Sequence, residues 1–132
     1  MTADSIENAL YVYDWDGAAG VTTRRNFTPA YPKGLPDGSC VDSEGFIWNC
    51  RVAGGACVVR FAPDGRVDRE VSVGCSSPTS CTFGGDDLAT LFVTSSRFGM
   101  EAGQTTSLEG GLFALDVGVR GRQANRFRLA KS

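Results

Sequence analysis

Proline, aspartate and glycine stand in a row at Pro36-Asp37-Gly38, just ahead of a segment, Ser39 to Asp42, that alternates like a β-strand. A carboxylate at the entry to a strand can move protons or bind a hard cation, provided the strand aims it at a cavity. The same tripeptide recurs at Pro63-Asp64-Gly65, and taken by itself it reads as an ordinary turn. Asp14, Asp16, Asp86 and Asp87 sit in loop-like contexts and read as solvated turn acids. Asp14-Trp15-Asp16-Gly17 resembles the opening of a calcium loop, yet the further ligands and closing glutamate of an EF-hand are missing. No histidine occurs, so the chain by itself can build neither a Cys/His zinc site nor a Ser-His-Asp triad. The five cysteines, Cys40, Cys50, Cys57, Cys75 and Cys81, are odd in number, never in CxxC spacing and mostly set in apolar alternation. Reduced, half-buried thiols are expected rather than a disulfide framework.

The elements that position these groups are short strands. The 132 residues suffice for one domain; 17 are glycine, apolar runs are brief, and no amphipathic pattern is long enough for a helix. The fold class is all-β. Expected strands are Ala9 to Tyr13, Thr22 to Phe27, Ser39 to Asp42, Ile47 to Val52, Ala56 to Phe61, Val67 to Val73, Ser80 to Phe83, Thr90 to Ser95, Gly111 to Asp116 and Asn125 to Leu129. Turn signals at Asp16-Gly17, Glu44-Gly45, Asp64-Gly65 and Gly84-Gly85 separate most of them. Trp15, Trp48 and Phe92 fall in the alternating pattern and are expected to fill space between sheets rather than stack on a ligand.

The strands repeat. LYVYDWDG from Leu10, VVRFAPDG from Val58 and LFALDVG from Leu112 each end an apolar strand in an acid-and-glycine turn, and GSCVDSEGFIW echoes TSCTFGGDDLATLFV. Four strands in roughly 40 to 50 residues is the spacing of β-propeller blades. The count gives about two and a half blades in a single domain over 1–132: the end of one blade in 1–35, a complete blade in 36–77 and a last blade in 78–132. A piece of a ring leaves two apolar faces uncovered, so a homo-oligomer is expected, with a dimer favoured.

Charge argues against other partners. With 13 basic and 15 acidic residues, the net charge of −2 supplies no field for nucleic acid or an acidic membrane. Arg120, Arg122, Arg126, Arg128 and Lys131 collect near the end and read as strand-edge and tail solubility ahead of a phosphate patch. No apolar run approaches the ~20 residues of a membrane span and TADSIEN is not a signal peptide, so a soluble, cytoplasmic chain is expected.

DSIENALYVYDWDG, TTRRNF, LPDGSCVDSEGFIWNC, TSCTFGG, LFVTSSRFGM and EGGLFALDVGVRGRQANRFR, in that order, resemble the C-terminal half of the regucalcin/gluconolactonase family, whose breadth includes luciferin-regenerating enzymes. The resemblance implies the C-terminal part of a six-bladed β-propeller that binds calcium or another divalent metal in a central tunnel and hydrolyses sugar lactones or related esters. It transfers the aspartate of the family's Pro-Asp-Gly motif, a metal ligand and candidate catalytic base, to Asp37. Thr79 and Ser80 align with the start of the next blade and are candidate substrate-binding residues, and the polar loop Gly103 to Glu109 would lie beside the tunnel.

The family's remaining metal ligands, a glutamate near the N-terminus and an asparagine upstream of the segment matching Asp4-Ser5, have no counterpart here. The resemblance therefore implies a truncated lactonase-like hydrolase in which one copy is not competent and self-association completes the ring. The alternatives are a non-catalytic, propeller-derived assembly module and an inactive gene fragment.

Overall fold

A computed structural model describes residues 1–101 and 108–126. Ten strands run in chain order: β1 (Thr2–Asp4), β2 (Ala9–Asp16), β3 (Gly20–Asn26), β4 (Leu35–Val41), β5 (Ile47–Val52), β6 (Cys57–Phe61), β7 (Val67–Ser72), β8 (Pro78–Gly84), β9 (Thr90–Ser95) and β10 (Leu112–Asp116). They form three antiparallel sheets, β1-β2-β3, β4-β5-β6-β7 and β8-β9-β10, in which each strand pairs with its neighbour in sequence. No described residue is α-helical, and no described helix is long and apolar enough to cross a membrane.

The middle sheet is buried on both faces, which is why β5 and β6 read as nearly continuous apolar runs. Period-two alternation sends Trp48, Cys50 and Val58 to one side, against Cys81, Phe83, Leu91 and Val93 of the last sheet. Cys57, Val59 and Phe61 point the other way and meet Leu10 and Phe27 of the first sheet. Trp48 and Phe83 meet edge to face with ring centroids 6.0 Å apart, and Phe27 does the same to Phe61 at 6.3 Å. The first strands of the three sheets adjoin one another, β1 beside β4 and β4 beside β8.

Two glycines permit close approach. Gly65 turns the β6–β7 hairpin at φ +86°, and an added Cβ would lie 2.0 Å from the carbonyl oxygen of Phe27. A Cβ on Gly38 would lie 2.4 Å from Ser80 Oγ and 2.7 Å from Ser80 Cα, so β4 and β8 touch backbone to backbone there.

Several expectations change. β1 has no apolar period and forms only by pairing with β2, through Thr2 to Tyr11 and Asp4 to Ala9. Asn125 and Arg126 are not in a strand, and the rest of the strand expected to Leu129 lies outside the described residues. Arg128, Lys131 and most of the Gly103 to Glu109 loop lie outside them as well. Trp15 is 73 % exposed: a register shift between Tyr13 and Trp15 displaces the end of β2 from the packed face. Phe92 lies half-buried on the outer face of the last sheet rather than between sheets, whereas Trp48 is fully buried between two of them. All five cysteines are free thiols, but where half-burial was expected only Cys40 is half-buried; Cys50, Cys57, Cys75 and Cys81 are buried in the apolar packing between sheets.

Candidate functional site

Asp37 sits in a bulge. The β4–β5 register shifts between Pro36 and Ser39, so the backbone at Asp37 and Gly38 leaves the ladder. A side chain takes its place: Asn49, on β5 and fully buried, donates from Nδ2 to the Asp37 carbonyl at 2.8 Å and to Ser39 Oγ at 3.0 Å. From the other side, Ser5 Oγ donates to the Pro36 carbonyl at 2.7 Å. These bonds fix the strand entry and leave the Asp37 carboxylate half-buried at its edge. Burial pushes that carboxyl above its ordinary range, against a smaller lowering by the Gly38 N–H.

Behind Asn49 stands a buried cation with no carboxylate beside it. The Arg51 guanidinium is 1 % exposed and spends its donors on oxygens of neutral groups. Nε reaches the Lys33 carbonyl at 3.0 Å, Nη1 reaches Asn49 Oδ1 at 3.1 Å, and Nη2 reaches Asn8 Oδ1 at 2.6 Å and the Gly34 carbonyl at 3.0 Å. One residue thereby ties the β1–β2 turn and the loop before β4 to β5, and through Asn49 to the Asp37 bulge. Burial lowers its pKa, and saturating the fork with carbonyls is what makes the charge tolerable there.

Thr79 stands in the matching place on β8, where the register also shifts, between Pro78 and Ser80. Its hydroxyl shares a hydrogen bond of 2.8 Å with Thr94 Oγ1. Asp37 and Thr79 face one cleft of about 410 Å³ with Val52, Ala53, Ser77, Ser96 and Phe98. Ser80 does not join them; it contacts Gly38 and lines a separate hollow on the outer face of the last sheet with Phe92, Thr94 and Leu112.

The cleft contains one acid among neutral hydroxyls. Calcium takes about 6 to 8 oxygen ligands, and among the described residues no group of three or more Asp, Glu, His or Cys converges to hold a metal. The donors of a single copy therefore do not fit a complete divalent-metal site. Three of the other candidate acids have partners: Asp14 pairs with Arg25 at 2.7 Å, Asp16 accepts from the Ala18 N–H, and Asp87 accepts from the Ala89 N–H.

Two acids buried among the described residues, Asp42 and Glu109, were not singled out from the sequence; Glu109 accepts from the Ser76 N–H at 2.9 Å. Asp42 is fully buried and accepts from the N–H groups of Glu44 and Phe46, from Trp48 Nε1 at 2.9 Å and from Arg60 Nε at 2.8 Å. Every lone pair is directed at a structural partner, which makes Asp42 a hub of the middle sheet rather than a site residue. The spacing of Asp42, Gly45 and Trp48, an acid closing a turn onto an indole, was the available signal.

The chain resembles known proteins in sequence and in fold. Residues 1–97 match the family described as SMP-30/Gluconolactonase/LRE-like region. The chain is similar to a 6-deoxy-6-sulfogluconolactonase of Pseudomonas putida, 37 % identical over 90 % of this chain and 42 % of that one. It is likewise similar to a pentonolactonase of Haloferax volcanii, 41 % identical over 86 % of this chain and 41 % of the relative. Among solved structures, a calcium-binding protein, regucalcin, from Agrobacterium tumefaciens superposes with a TM-score of 0.86 at 31 % identity, over 96 % of this chain and 44 % of that one. The chain thus spans about two fifths of the length of the curated relatives it matches.

Proposed function

The chain belongs to the SMP-30/gluconolactonase/LRE-like family, and from that premise we propose that it supplies the Asp37 portion of a sugar-lactone hydrolase. The observation that carries this reading is the bulge: Asn49 replaces ladder bonds so that a half-buried carboxylate shares a cleft with Thr79. A plain turn acid such as Asp64, exposed and paired with Arg66 at 2.8 Å, has no such support.

In the reaction, a water attacks the ring carbonyl and gives its proton to Asp37 Oδ. The ring C–O bond then breaks, and the leaving ring oxygen takes that proton back from Asp37, giving the open hydroxy acid and restoring the carboxylate. Burial raises the basicity of Asp37 and suits it to this step. Thr79, oriented by Thr94, would hydrogen-bond a sugar hydroxyl. Ser80 serves through its contact with Gly38, which holds β4 against β8.

The three sheets are proposed as consecutive blades in one domain: the end of one blade over 1–35, a blade over 36–77 and a last blade over 78–132. A second copy is proposed to complete the ring. The outer face of the last sheet leaves Leu112 67 % exposed beside Phe92, and Trp15 and Val21 are exposed at the opposite end. Calcium or another divalent ion would require ligands from beyond one copy. The second reading, a non-catalytic assembly module, is favoured by the lone acid in the cleft.

Hydrolysis of D-glucono-1,5-lactone, followed by acid release in a pH-stat, separates the two. Asp37→Asn should lower kcat/KM by about 100-fold or more. Equal rates for the two proteins, or no hydrolysis by the assembled native protein, would leave the assembly module.

A further inference from the structure

We propose that Cys40 and Cys81 form an oxidisable dithiol pair that, on reaction with a hydroperoxide, closes a disulfide stapling the middle sheet to the last. Their sulfurs lie 3.6 Å apart, in van der Waals contact, on β4 and β8, the strands that also carry Asp37 and Thr79. The two backbones already touch at Gly38 and Ser80, so little separates them. Closing the bond requires the sulfurs to approach to about 2.05 Å, a displacement of roughly 1.5 Å.

The pair is reachable. Cys40 is half-buried, and both thiols open onto a cleft of about 390 Å³ lined also by Ser39, Thr82, Arg122 and Asn125. Cys50 packs in the same core as Cys81, whose thiol also donates to the Trp48 carbonyl at 3.5 Å, but Cys50 is fully buried and does not line the cleft. Cys57 and Cys75 lie elsewhere: Cys57 packs in the other core, and neither lines this cleft. The site therefore has a half-buried attacking sulfur, a covered resolving sulfur in contact with it, and an entrance for a small oxidant.

The chemistry balances without a further reactant. Cys40 Sγ attacks one peroxide oxygen, the O–O bond breaks, and an alcohol leaves with Cys40 as the sulfenic acid. Cys81 Sγ then displaces hydroxide from that sulfur, and the departing oxygen leaves as water with the Cys81 proton. Two sulfurs lose two electrons and one peroxide gains them. The rate is set by thiolate supply. The Cys40 thiol is raised first by its hydrogen bond with Cys81 and then by burial, with the charge of Asp42 acting in the same direction. The bond from Cys40 lowers Cys81, but its bond with Cys50 and burial outweigh this. Arg122, lining the cleft, is the cation available to oppose these effects. Oxidation is consequently slow at neutral pH, as fits a pair that is reduced at rest.

The inference is independent of lactone hydrolysis, and its readout is covalent. The full chain is treated with tert-butyl hydroperoxide, alkylated and mapped by mass spectrometry. The expected result is an intact mass lower by two hydrogens, two fewer alkylated thiols, a linked Cys40–Cys81 peptide and full reversal by dithiothreitol. The thermal midpoint should rise by several degrees, because the link closes a long loop of the unfolded chain. Cys40→Ser, at the half-buried position, and Cys81→Ser should each abolish the linked peptide. Over-oxidation of Cys40 to the sulfinic acid with no linked peptide, a link through Cys50 instead, or one between two chains would overturn the proposal. Should Cys81→Ser fail to fold, Cys40→Ser and the peptide map of the native chain decide the matter.

Discussion

Replacing Asp42 by asparagine changes one atom and should cost the fold about 3 to 5 kcal/mol. The carboxylate receives donors on both oxygens: Oδ1 takes the Glu44 and Phe46 N–H groups, and Oδ2 takes Trp48 Nε1 and Arg60 Nε, with Arg60 Nη2 at 2.7 Å. An asparagine can present its oxygen to only one set, and its NH₂ must then face the other, donor against donor. Placing the amide toward Trp48 and Arg60 strips two buried donors of their acceptor, at about 1 to 3 kcal/mol each. Arg60 retains Glu44 at 2.6 Å and Asp68 at 3.0 Å, which keeps its charge compensated and holds the loss within the range given. Such a loss is a large share of the roughly 5 to 15 kcal/mol that stabilises a domain. Urea unfolding is the assay, followed through Trp48 fluorescence, since Trp15 is already in water. The midpoint should fall with an unchanged m-value. Asp64→Asn, at an exposed turn, is the control and should leave the urea midpoint essentially where it is. A cost under about 1 kcal/mol for Asp42→Asn, or equal costs for the two, would refute the reasoning.

Gly38→Ala should cost about 1 to 3 kcal/mol or more, because its Cβ meets Ser80 backbone and side chain rather than a flexible tip; Gly17→Ala, with open space around it, should be nearly neutral by the same urea titration. Asp37→Asn should raise the thermal midpoint at pH 7 by about 1 to 3 °C. The sign follows from burial: a carboxyl raised in the folded state stabilises the fold only as pH falls through its folded pKa, and its charge is a cost above that. Calorimetric scans at pH 7 and at pH 3 check this, the gain being present at the first and gone at the second. In the lactone assay of the native protein, kcat/KM should rise with pH through an inflection above about 3.9, the ordinary aspartate value, and a pH–rate profile without that limb would remove Asp37 as the base.

The strands that could be read were those whose side chains alternate between turn signals: β5 and β9 have the expected limits, Ile47–Val52 and Thr90–Ser95. β1 could not be read, because Thr-Ala-Asp has no period and exists as a strand only through β2. Trp15 was misplaced because alternation continues in sequence past Tyr13 while the backbone register does not. Asp37 was legible as a residue but not as a geometry, since a bulge depends on the partner strand, here on the amide of Asn49. Asn49 and Arg51 gave a signal of their own, two polar residues on one face of an otherwise apolar strand, and their partners lay too far along the chain to be inferred. Asp42 was passed over although three of its donors, the Glu44 and Phe46 N–H groups and Trp48 Nε1, lie within six residues; only Arg60, on another strand, was out of reach of the sequence.

The central claim is that Asp37 is a site carboxylate completed by a second copy of the chain. The most direct measurement is the specific rate of D-glucono-1,5-lactone hydrolysis over a wide range of chain concentration, with oligomeric state followed by sedimentation in the same samples. The rate per chain should climb with the dimer fraction and be lost in Asp37→Asn while dimerisation is retained. A rate per chain that does not change with concentration, or an inactive native dimer, would contradict it.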